Sequence, residues 1–240
     1  MIAVGVANFV LLLCVVWAIW ERRLTFGSRF DSPITIGTVL FGAGVGLTSP
    51  WPVVAGVPFP FTDKYFVLIV IGQFCFLAAT AFGIKAVYLR LLPDGAMDPF
   101  MRRRIAPLIV VASVALVICF VASSLTLTRP VDRPSFASLD GWLAVSWVVY
   151  FGILAVLGLI LSYGVARLRR DPRSAMLRIL LLSLVPASLS AVFIGYALVS
   201  SGDLNVWIAA WLINYAAFFG TAIAFVTQWR RRVRALLPRG

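Results

Sequence analysis

The chain contains no histidine, and Glu21 is its only glutamate. Without imidazole there is no bis-histidine haem site, no histidine-ligated zinc, no Ser-His or Cys-His nucleophile pair and no imidazole pH switch. Cysteine is scarce too. Cys14, Cys75 and Cys119 lie singly in three separate apolar runs, odd in number and without CxxC spacing. They read as small free thiols in a packed helical interior and not as a disulfide framework. Charged residues make up 12% of the 240 positions, about half of what a soluble domain carries. Neither a metal nor a cofactor is expected from such a set.

What fills the chain instead is apolar surface, at 62% of residues. The bilayer is therefore the solvent that organises the fold, and residues 1–240 read as one polytopic, all-α domain. Seven segments are long enough, or nearly so, to cross about 30 Å of hydrocarbon. They are residues 2–20, 34–50, 65–89, 105–127, 141–167, 179–200 and 204–228. The first, within MIAVGVANFVLLLCVVWAIWERR, has no positive n-region and no small-residue cleavage site, so it is expected to be an uncleaved span. The second is the shortest and is rich in glycine, with Gly42 and Gly46 forming a GxxxG pair suited to close helix packing.

Cations orient the bundle. With the N-terminus outside, the inner loops collect Arg22, Arg23 and Arg29, then Lys85, Arg90 and Arg102 to Arg104. Arg167, Arg169, Arg170, Arg173 and Arg178 follow, and the tail WRRRVRALLPRG adds five arginines to give 18. Outer loops hold three, Lys64, Arg129 and Arg133. This split predicts an outside start and a cytoplasmic C-terminus in a multi-pass plasma-membrane protein. Residues 229–240 form a short basic tail whose charge belongs to that pattern, held against lipid headgroups by the Trp229 anchor. There is no soluble domain to present a duplex-binding surface, so nucleic acid is not an expected partner.

Helix starts supply a second signal, since Asp or Ser before Pro marks an N-cap and first-turn pair. Ser32-Pro33, Asp98-Pro99 and Asp171-Pro172 each precede a span leaving the cytoplasm, and Asp63, Asp140 and Asp203 sit where the outside-starting spans begin. The remaining acids, Glu21, Asp31, Asp94 and Asp132, lie in or beside loops. No carboxylate is left within the hydrocarbon, which argues against a paired-carboxylate hydrolase or an intramembrane aspartyl protease.

Between the second and third spans, PWPVVAGVPFPFTDKY is apolar but broken by four prolines. It reads as a stiff interfacial loop with Trp51, Phe59 and Phe61 as anchors. Trp142 and Trp207, with Trp147 and Trp211, fit an outer aromatic belt, and Trp20 and Trp229 an inner one. The turns LRLLPDGAM and ARLRRDPRSAM echo each other only loosely, as cytoplasmic hairpins of shared composition do.

With charge confined to helix ends, an intramembrane pocket has to use uncharged polar groups. Gln73, Asn214, Asn8, Tyr196 and Ser188 are the candidates, beside Thr80, Ser123, Ser124, Ser190 and Tyr215. An amide near mid-membrane must find partners, and an interhelical hydrogen bond is the plainest role for Gln73 and Asn214. Pro186 is expected to kink the sixth span. Lys85 lies one turn from the end of the third span, where it snorkels, and the last span has no lysine. A retinal Schiff-base protein is therefore not expected despite the count of seven.

The order of these features, seven spans, an ERR turn after the first (Glu21 to Arg23) and the exit QWRRRVRALLPRG, resembles a group of actinobacterial seven-helix membrane proteins. Members are often labelled transporters, though their activity is not established, and they generally continue into a longer cytosolic segment after the arginine run. By itself the chain reads as a non-enzymatic sensing or relay module, or a subunit of a larger membrane assembly. The alternative is a small-solute facilitator with a three-plus-one-plus-three arrangement. Anionic phospholipid is the expected partner, through Arg102, Arg103, Arg104, Arg169, Arg170, Arg230, Arg231 and Arg232. Other membrane or cytosolic subunits, or further copies of the chain, are the expected protein partners.

Overall fold

The structure, a computed structural model, describes residues 9–10, 13–17, 19–21, 23, 27, 32–48, 65–93, 95–122 and 141–168. Every regular element among them is helical. Four helices carry the fold: α1 (Ser32–Thr48), α2 (Tyr65–Tyr88), α3 (Met97–Ala122) and α4 (Gly141–Leu168). A helix satisfies all its backbone groups within one segment, as a hydrocarbon environment demands. Three of the four, α2, α3 and α4, are long and apolar enough to cross a membrane. The sixth and seventh predicted spans lie outside the described residues.

α1 and α2 pack antiparallel with their backbones in contact. A β-carbon at Gly44 would lie 3.0 Å from the Gly72 carbonyl oxygen, and one at Gly72 would lie 3.0 Å from the Gly44 oxygen. Seven residues along, a β-carbon at Gly37 would come within 3.2 Å of the Ala79 oxygen. The seam is thus a stripe of small residues, Gly37 and Gly44 on one helix and Gly72 and Ala79 on the other. Phe41 closes it edge-on against Phe76, with ring centroids 5.2 Å apart. Of the GxxxG pair expected from sequence, Gly42 does admit a neighbour, Val15 of the first predicted span. The backbone contact itself belongs to Gly37 and Gly44. A seven-residue repeat keeps one face toward the partner over the whole seam, where a single GxxxG marks one crossing point.

A tight turn joins α2 to α3. The Leu92 N–H donates to the Tyr88 carbonyl at 2.9 Å, and Gly95 takes φ of +87°, a left-handed value that costs glycine nothing. The α3 N-cap is Ala96, without a side-chain cap, so Asp98 and Pro99 sit inside the first turn and not ahead of it. There the carboxylate complements the positive helix end without capping it. Met101–Ile105 forms a π-helical turn that fits three exposed arginines between Met101 and the fully buried Ile105.

α4 lies parallel to α2. A β-carbon at Gly83 would meet Leu161, and one at Gly164 would lie 2.7 Å from Tyr88 and 2.8 Å from Val87. Leu77, Ile84 and Val87 of α2, Ile105, Ala112 and Leu116 of α3, and Tyr150, Leu157, Leu161 and Val165 of α4 make one buried core. Outward, α3 exposes Val110, Val114, Val117 and Val121, and α4 exposes Val148, Val156 and Leu159. A broad apolar exterior of this kind suits lipid and not water.

Candidate functional site

Two groupings of polar side chains emerge from this frame. At one end of the bundle, cations gather around three helices: Lys85 lies in the last turn of α2 and Arg90 in the turn that follows it, Arg102 to Arg104 lie near the start of α3, and Arg167 closes α4. From Ile105 to Ala122 α3 is free of charge, about 27 Å at 1.5 Å per residue and so close to a hydrocarbon thickness. Aromatic rings stiffen the same end. Tyr88 stacks on Phe100 with centroids 4.6 Å apart, and its hydroxyl donates to the Ile160 carbonyl at 3.2 Å across the face of Gly164. The Arg167 guanidinium hydrogen-bonds the Tyr163 hydroxyl and lies 5.1 Å from the centroid of that ring. Arg90 instead turns back, its Nη1 donating to the Ala86 carbonyl at 2.7 Å. Arg23 lies 4.1 Å above the exposed Trp20 ring, a cation–π contact.

The second grouping lies inside the bundle. The contacts of Gly83 with Leu161, and of Val87 and Tyr88 with Gly164, fix a parallel register between α2 and α4. Carried along both helices, it sets Gln73 level with Tyr150, about 22 Å from Tyr88 at 1.5 Å per residue. Both side chains are buried, Gln73 to 4% exposure and Tyr150 to 2%. Ser146 lies one turn further along the same buried face of α4. Among the described residues, the Tyr150 hydroxyl is the buried side-chain polar atom without a hydrogen-bond partner.

Of the pocket residues expected from sequence, Gln73 is thus in the interior, while Asn8, Ser188, Tyr196 and Asn214 lie outside the described residues. Thr80 spends its hydroxyl on its own helix, donating to the Phe76 carbonyl at 2.8 Å. Thr38 and Thr48 do likewise, to Ile34 and Gly44. Of the expected headgroup arginines, Arg102, Arg103 and Arg104 are exposed, and Arg169, Arg170 and Arg230 to Arg232 lie outside the described residues. Cys14, Cys75 and Cys119 are free thiols. Among the described residues no three His, Cys, Asp or Glu side chains come together as metal ligands would. Tyr150 and Ser146 were not marked by sequence, because α4 is apolar on every side and shows no contrast between buried and exposed faces.

Comparison with known proteins finds no matching family model, no matching curated protein and no matching solved structure. The resemblance to actinobacterial seven-helix proteins therefore stands on the order of spans and the arginine exit alone.

Proposed function

We propose that this chain is a non-enzymatic integral membrane protein that senses or relays a signal, or serves as a subunit of a larger membrane assembly. It crosses the plasma membrane seven times, with its N-terminus outside and its C-terminus in the cytoplasm. The observation that carries this reading is the gathering of Lys85, Arg90, Arg102 to Arg104 and Arg167 around three helices at one end of an otherwise apolar bundle. Such a collar rests on the anionic cytoplasmic leaflet, each charge contributing on the order of 1 kcal/mol. Among the described residues the interior offers amide and hydroxyl groups, a set suited to holding helices together.

Affinity purification from gently solubilised membranes, paired with a deletion strain, tests the assignment. A co-purifying partner at defined stoichiometry and altered signalling in the deletion strain are expected. Recovery of the chain alone, with unchanged signalling, overturns it. Solute flux in proteoliposomes above that of protein-free vesicles would instead favour the facilitator.

A further inference from the structure

We propose that the Tyr150 hydroxyl and the Gln73 side-chain amide hold a single water molecule between α2 and α4, deep in the apolar bundle. A phenol both donates and accepts, and leaving it unpaired in an apolar interior is costly. Serine and threonine in a helix can return their hydroxyls to a carbonyl one turn back, as Thr38, Thr48 and Thr80 do here. The hydroxyl of Tyr150 stands a ring's length from its own backbone and has no such recourse. Its ring is held in the core with Leu77, Leu116 and Leu157 and meets Phe151 edge-on at 5.0 Å. The hydroxyl therefore cannot swing out to find a partner.

Gln73 is the polar side chain that the parallel register sets at the same level, and it too is buried. An amide has both donor and acceptor to offer, so one water between the two groups receives at least two of the two to four partners that buried waters take. The level holds no carboxylate and no cation among the described residues, and a water needs neither.

The test uses the full chain in lipid nanodiscs, with tyrosine rings labelled with 13C. Magnetisation is transferred from water to the ring carbons by solid-state NMR, and Tyr150→Phe identifies the Tyr150 signal by its loss. Transfer to Tyr150 at a buried position is expected, and Gln73→Leu should abolish it while the signal of exposed Tyr163 persists. Tyr150→Phe should also lower the thermal midpoint, by about 2–4 °C if it removes roughly one hydrogen bond's worth of stability. No water transfer to Tyr150, or transfer unchanged in Gln73→Leu, overturns the proposal. A midpoint equal to or above wild type in Tyr150→Phe does the same. An organic molecule that co-purifies with wild type and not with Tyr150→Phe, seen by native mass spectrometry, overturns water in favour of a neutral solute.

Discussion

At the seams of this bundle, the absence of a side chain is what holds helices together. Gly44 and Gly72 bring two backbones into contact, so any larger residue must push α1 off α2. Gly44→Leu is expected to lose at least about 1–3 kcal/mol, the usual range for overpacking. Gly152→Leu, where an added β-carbon meets nothing within 4 Å, should be near neutral. Thermal unfolding of the two variants in one detergent makes the comparison. At the α2–α4 seam the order of effects is the prediction. Tyr88→Phe forfeits one hydrogen bond, worth about 0.6 kcal/mol between membrane helices. Gly164→Ala should cost more, because both Val87 and Tyr88 must yield. A milder effect for Gly164→Ala in the same assay would show that the seam relaxes freely. Little of this was readable beforehand: glycine in a helix announces close packing but not the partner, and Gly42 and Gly44 differ only in which neighbour they face.

Elements were far more legible, because an uncharged apolar run is its own signal. Expected spans at 65–89 and 141–167 are the helices Tyr65–Tyr88 and Gly141–Leu168, and the span at 34–50 is Ser32–Thr48. α3 is the instructive departure: its apolar span was expected from 105 with Asp98 as the cap ahead of it, and the helix begins at Met97 with Ala96 at its N-cap. Hydropathy finds where a chain enters hydrocarbon, whereas the helix begins wherever backbone bonding can start. Three arginines end the apolar run without ending the helix. The π turn at Met101–Ile105 has a consequence at this scale. Removing one residue there, as in deletion of Arg103, should tighten the turn to an α-helical one and leave the core-facing side of Ala106–Ala122 in place. Deleting Val114 should instead rotate Leu116 and Cys119 out of the core. Folded yield and melting midpoint are expected to stay near wild type for the first deletion and to collapse for the second.

For the whole molecule, orientation is the property that charge sets. Replacing Arg102, Arg103 and Arg104 together by glutamate should scramble or invert the topology and reduce the anionic lipid that co-purifies. Reporter fusions at the C-terminus and native mass spectrometry read the two effects, and an unchanged topology refutes the charge-based orientation. Motion is constrained as well. The Tyr88 hydroxyl donates to the carbonyl of Ile160, and its ring lies in the notch that Gly164 leaves for want of a side chain. Sliding α4 by one residue would carry the notch away from the ring and drive a side chain into it. The joint acts as a detent, opposing a piston stroke of α4 along α2 at the level where Tyr88 and Val87 meet Gly164.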